Sequence, residues 1–225
     1  MDRVPKPAKV CKCVLFDLDG TLYSSSEYNA RYEREAAGIV SSFLTVTPEK
    51  ARLLLKSGKS RFGTLTGTLE DLKINRELFF EEIAKRVEIE KFLTADPSVK
   101  NMLTHLRGSG LKIGLVSNSG RPVVMKIFST IGLAPEEFDV VVTSSDAKPK
   151  PSPEPFLVAI RKIDSDVEHS VYVGDRDAEE LQPAKKLGIK TILVDREGGS
   201  TANWADYVVR NLSELPELLK KLGLV

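Results

Sequence analysis

The chain has 225 residues, 41% of them hydrophobic, and its 33 Lys and Arg set against 32 Asp and Glu leave a formal charge of +1. Length and apolar share suit one large domain or two small ones with a core of their own. The balanced charge lacks the basic field of a nucleic-acid binder, and no apolar run approaches the ~20 residues of a membrane-spanning helix.

The opening thirteen residues are charged and carry no apolar stretch of the kind a secretory signal needs. Cys11 and Cys13 are the only cysteines. They cannot make a disulfide framework, and a bridge between residues two apart would be strained. They read as small apolar side chains of a first strand over 10–16, in a reducing, cytoplasmic setting. From 24 to 92 no strand pattern is convincing, and helices are expected over 27–44, 48–57 and 76–87, with Gly and Thr punctuating 61–67. Beyond it, short β-branched runs at 112–116, 138–142, 170–173, 190–194 and 207–209 alternate with helical stretches at 97–107, 121–131, 153–163, 178–187 and 214–222. Strands this short and apolar, alternating with helices, predict a doubly wound parallel α/β sheet of Rossmann-like type. Residues 1–22 and 93–225 would form this core, and 23–92 an inserted α-helical domain above the sheet edge. A single Gln, Gln182, and 29% charged residues suggest a protein that works hot.

Chemistry gathers at four strand ends. The first strand runs into Asp17-Leu18-Asp19-Gly20-Thr21, two carboxylates where open α/β sheets bind ligands. The second ends in Ser117-Asn118-Ser119, a set of hydroxyl, amide and backbone donors. After the third come Lys148-Pro149-Lys150-Pro151, and the fourth ends in Gly174-Asp175-Arg176-Asp177-Ala178-Glu179-Glu180.

In that order the four motifs resemble the haloacid dehalogenase superfamily, across the whole core. The insert after the first motif is similar to the C1-type cap of its subfamily I phosphatases. The resemblance implies a Mg2+-dependent phosphatase working through an aspartyl-phosphate. Asp17 would be the nucleophile. Asp19 would protonate the leaving alcohol and then deprotonate water. Ser117 would hold a phosphoryl oxygen, with Gly20 and Asn118 also at the substrate, and Lys150 would neutralise the charge that develops on the phosphoryl group. Asp17, Asp175 and the backbone carbonyl of Asp19 would offer Mg2+ its oxygen ligands. Spacing to the following Pro-x-x-Phe favours Lys150 over Lys148. The family's second acid of the fourth motif is replaced by Glu179 and Glu180, which read as helix-start acids with a supporting role at most.

An acid at position 19 argues against carbon–halogen cleavage, which family members carry out without one. The expected substrate is a small phosphate monoester. Leu22-Tyr23 with Phe62–Gly67 is similar to the pyrimidine 5'-nucleotidase-like branch, and phosphoglycolate stays open beside a nucleoside monophosphate. A sugar-phosphate mutase and a catalytically silent binding protein are the alternatives, the chain acting as monomer or homodimer. His105, His169, Trp204 and Tyr207 read as surface or packing residues. Arg121 reads either as a substrate contact or as a solvated residue at a helix start.

Overall fold

The computed structural model describes residues 12–224. The expected start of the first strand at Val10, and Cys11 with it, lie outside these residues. Among them the strands are β1 (Cys13–Phe16), β2 (Lys112–Val116), β3 (Val140–Val142), β4 (Ser170–Gly174), β5 (Lys190–Val194) and β6 (Tyr207–Val209). All pair in parallel, in the order β3-β2-β1-β4-β5-β6. The chain therefore winds outward in both directions from β1, and the crevice at the carboxyl end of β1 is the topological switch point.

Side-chain alternation divides the core. Val14 and Phe16 of β1 face one cluster with Ile113, Leu115, Val171 and Val173, while Cys13 and Leu15 face a second with Val116, Val142 and Tyr172. The first face is covered by α5 (Pro97–Gly108), α6 (Arg121–Ile131) and α9 (Leu215–Lys221). The second is covered by α7 (Glu154–Ile163) and α8 (Gln182–Leu187). With both faces buried, the strands can be apolar throughout.

Between β1 and β2 lie α1 (Ser26–Leu44), α2 (Pro48–Phe62), α3 (Leu65–Asp71) and α4 (Arg76–Arg86). Their buried residues Ile39, Phe79 and Ile83 belong to the first cluster, so the insert packs directly onto the core. The two crossing segments meet where Ser25 Oγ donates to the carbonyl of Phe92 at 3.2 Å. Two differences from the sequence pattern have local causes. The second helix does not stop at 57: Gly58 sits within it, buried where a Cβ would overlap Thr68 of α3, so this glycine allows close helix packing. The Gly/Thr-rich stretch then forms α3, capped by Thr64, whose hydroxyl accepts from the Gly67 amide at 3.1 Å.

The third strand begins at Val140 instead of 138, because Phe138 turns aside to stack on Phe128, ring centroids 5.0 Å apart. The segment expected to be helical from 178 opens with a π-helical turn, Asp177–Leu181, before α8.

Candidate active site

Register brings the motifs together. Phe16 is level with Leu115 on β2 and Val173 on β4. Asp17, one residue on, and Ser117 and Asp175, each two residues on, leave neighbouring strands at one edge. The Asp17 amide still donates to the Val173 carbonyl, and the Ser117 amide to Val142, both at 2.9 Å. Both carboxylate-bearing and hydroxyl-bearing side chains are thus held on rigid backbone.

Lys150 is the buried hub. Its side chain is 0% exposed, and its Nζ lies 2.5 Å from Asp17 Oδ1, 2.8 Å from Glu180 Oε1, 2.8 Å from the Tyr172 hydroxyl and 2.9 Å from the Val116 carbonyl, four oxygens sharing its three N–H groups. Burial works against its charge, but Asp17 and Glu180 outweigh burial and raise its pKa. Lys148 is exposed, and it is Lys150 that meets Asp17. Asn118 clamps the lysine's backbone from both sides: its Nδ2 donates to the Lys150 carbonyl and its Oδ1 accepts from the Lys150 amide, each at 2.8 Å. The amide expected at the substrate is therefore engaged in holding Lys150.

Asp19 has two donors of its own. Ser119 Oγ lies 3.0 Å from Oδ2, and the Tyr23 hydroxyl donates to Oδ1. Burial, then the charge of Asp17, raises its pKa above the ordinary carboxylate value. A carboxyl raised in this way holds its proton more readily than an ordinary one, which suits proton transfer. Ser117, buried, accepts from the Ser119 amide at 3.1 Å. Gly20 has φ +87, and a Cβ there would overlap the Asp175 carboxylate. Glycine is required on both counts.

Asp17, Asp175 and Glu180 offer carboxylate oxygens that all lie within 4.8 Å of one another. One oxygen of Asp175 (Oδ1) and one of Glu180 (Oε2) are buried without a hydrogen-bond partner among the described residues. Burial and the Asp17 charge push Asp175 up to about 7 and Glu180 up to about 8. Crowded, desolvated carboxylates with spare oxygens are a donor set for a hard divalent cation such as Mg2+. These residues fit the ion.

Glu180 has a larger place here than its spacing suggested, whereas Glu179 is half-buried and pairs with Arg176 at 3.2 Å. The π-helical turn explains the separation: its wider winding carries Glu180 inward to Lys150. The residues that sequence reasoning passed over are Glu180 as a direct neighbour of Lys150, Tyr23 and Ser119 on Asp19, and Tyr172. Only Glu180 had a visible signal, an acid five residues after Asp175. Arg121 is bound to Asp146 through one guanidinium nitrogen, 2.7 and 2.9 Å from its two oxygens, on the helix side of the third strand. His169 pairs with Asp166 at 2.6 Å.

A cavity of about 360 Å3 opens above the site, lined on the core side by Asp19, Gly20, Asn118, Ser119, Asp175 and Arg176. Its other wall comes from the helical insert, including Tyr28, Asn29, Tyr32 and Phe80. No helix among the described residues is long and apolar enough to cross a membrane.

Residues 14–194 match the family described as haloacid dehalogenase-like hydrolase. The chain is 27% identical to a glyceraldehyde 3-phosphate phosphatase of Methanocaldococcus jannaschii, over 94% of this chain and 98% of that one. It is 30% identical to a phosphoglycolate phosphatase of Salmonella typhi, over 80% and 79% of the two chains. Among solved structures, a HAD phosphatase from Thermococcus onnurineus superposes with a TM-score of 0.69 at 27% identity, covering 92% of this chain and 97% of that one.

Proposed function

The chain belongs to the haloacid dehalogenase-like hydrolases, which act here on phosphate monoesters, and from that premise we propose a Mg2+-dependent phosphatase that works through an aspartyl-phosphate on Asp17. The observation that carries the reading is the contact of Lys150 with Asp17 at 2.5 Å, beside a second carboxylic acid, Asp19, whose pKa is raised. In this reading residues 23–92 are a helical cap over the core.

Asp17 attacks phosphorus through a carboxylate oxygen, and the bond to the leaving oxygen breaks as Asp19 gives that oxygen its proton. Asp19, now anionic, takes a proton from the water that attacks the aspartyl-phosphate, and phosphate leaves with Asp17 restored. Tyr23 and Ser119 hold Asp19 in one orientation through both steps. Lys150 offsets the charge on Asp17 and stands next to the phosphoryl oxygens, which Ser117 helps to bind through its hydroxyl. Asp17, Asp175 and the carbonyl of Asp19 would hold Mg2+, with Glu180 at hand as a further oxygen donor. When bound, the ion supplies charge neutralisation between an anionic nucleophile and an anionic substrate. The insert closes the chamber and keeps water out during the first step. The substrate is a small phosphate monoester, with a nucleoside monophosphate and phosphoglycolate as the two classes first in view.

The test is hydrolysis of 4-nitrophenyl phosphate with Mg2+ and with chelator, wild type beside Asp17→Asn. Turnover that requires both the ion and Asp17, with Asp17→Asn still folded by circular dichroism, is expected. An active Asp17→Asn protein would remove Asp17 as nucleophile.

A further inference from the structure

We propose that the leaving group of the substrate is uncharged and carries a ring, selected by Tyr28, Asn29 and the Glu33–Lys59 ion pair; this rests on the phosphatase reading above. Three observations on the chamber converge on it.

Aromatic surface comes first. Tyr28, Tyr32 and Phe80 line one wall of the 360 Å3 cavity, and Tyr28 and Tyr32 pack edge to face with centroids 5.9 Å apart. Such a wall gains most from a ring laid against it. A two-carbon acid would leave it uncovered.

Charge comes second. Both cations that line the chamber are already engaged. Lys59 Nζ lies 2.9 Å from Glu33, and Arg176 lies 3.2 Å from Glu179 while donating to the Gly63 carbonyl at 3.3 Å. A second anionic group on the substrate would have to compete with Glu33 for Lys59 and would meet the Glu33 carboxylate while doing so. Arg52 and Lys56 line a neighbouring cavity instead of this one, and Glu33 and Lys59 line both, so the ion pair stands between the chamber and that basic surface.

Hydrogen bonding comes third. Tyr28 is 1% exposed, and its hydroxyl bonds to Tyr23, whose own O–H is given to Asp19, so Tyr28 meets the chamber through its ring. Asn29, exposed beside it in the chamber wall, offers an amide donor and acceptor for a polar edge of the leaving group.

The experiment compares kcat/KM, with Mg2+, for a nucleoside 5'-monophosphate and a hexose phosphate against 2-phosphoglycolate, pyrophosphate and glyceraldehyde 3-phosphate, with 4-nitrophenyl phosphate, whose leaving group also carries a ring, reporting that the phosphatase chemistry runs. The better ring ester is expected to exceed each of the other three natural compounds by about tenfold or more, and the nucleoside and hexose arms decide which ring it is. Glu33→Gln, which releases Lys59, is expected to raise kcat/KM for 2-phosphoglycolate about threefold or more. Asn29→Ala is expected to raise KM for the natural ring ester more than for 4-nitrophenyl phosphate. Preference for 2-phosphoglycolate or pyrophosphate while 4-nitrophenyl phosphate is still hydrolysed would overturn the uncharged leaving group and leave the phosphatase intact. Preference for glyceraldehyde 3-phosphate would overturn the ring. An unchanged substrate ratio in Glu33→Gln would remove the ion pair from selection. Absence of Mg2+-dependent turnover on every ester would instead fail the phosphatase reading itself.

Discussion

Lys150 and Glu180 meet at 2.8 Å in the interior, with 0% and 7% of their side chains exposed, and the same ammonium reaches Asp17. This positive charge compensates the buried Asp17 and favours the ionised form of Glu180. Removing it leaves Asp17 uncompensated, and breaking such a buried pair costs about 3–5 kcal/mol. Lys150→Met should lose stability on that scale in denaturant unfolding, and turnover should fall by about 10²-fold or more. A Lys150→Met protein as stable as wild type would mean that other groups balance the Asp17 charge.

The raised acids predict a pH dependence with a definite sign. Asp175 and Glu180 go from ordinary values of 3.8 and 4.5 up to about 7 and about 8, first through burial and then through the charge of Asp17. The folded protein therefore keeps protons that the unfolded chain releases, so stability is greatest below the unfolded values and falls as pH rises toward the folded ones. In chelator, the melting temperature should drop between about pH 5 and pH 8, and Mg2+ should restore most of it at the upper end. Asp175→Asn should flatten the slope and weaken the response to Mg2+. A melting temperature in chelator that is level across this window would contradict the crowding of the carboxylates.

Tyr23 donates to Asp19 and so holds its pKa below where burial and Asp17 would take it. Tyr23→Phe removes that donor, and the Asp19 pKa should rise further. The acid limb of the kcat profile then moves to higher pH, with a larger loss of rate on the acid side of the profile than on the alkaline side. Parallel profiles for wild type and variant would assign Tyr23 to packing alone.

Gly120 starts α6 with an ordinary φ of −72, so a side chain there costs no backbone strain. What it meets is Phe80 of α4, whose side chain occupies the space a Cβ would take. Gly120→Ala should shift the insert against the core. Overpacking of this kind costs about 1–3 kcal/mol, and displacing one wall of the chamber should lower kcat/KM by about tenfold. Adding Phe80→Ala should recover part of the rate. If the double variant is no better than Gly120→Ala, the clash is not the cause.

The sheet and the strand-end groups were legible because they rest on local pattern. Val14-Leu15-Phe16 can only be a buried strand, and the carboxylates that follow it must emerge where the strand ends. Lys150 was likewise separable from Lys148 by its motif. What stayed hidden depends on contacts far apart in sequence. Glu180 points at Lys150 only because a π-helical turn rotates it, and nothing in Asp177–Leu181 announces that winding. Tyr28 and Phe80 stand 52 positions apart and share a wall only after α1 and α4 pack. The helix at Leu65–Asp71 was obscured because its composition favours turns, and a Thr cap with tertiary packing against Gly58 overrides that preference.

The bond from Ser25 to the Phe92 carbonyl holds the entry and exit of the insert side by side. Because the two ends are neighbours, 23–92 leaves and re-enters the core at one place, while Phe79 and Ile83 pack into the core cluster beside it. A foreign insert with similarly close ends could be grafted there without lengthening or rethreading any strand connection. Asp17, Asp19, Ser117, Lys150 and Asp175 all lie outside the exchanged segment, and Tyr23, the donor to Asp19, is its first residue. An exchange that keeps Tyr23 would therefore leave every side chain named at the strand ends in place while replacing Tyr28, Asn29 and Tyr32 of the chamber wall.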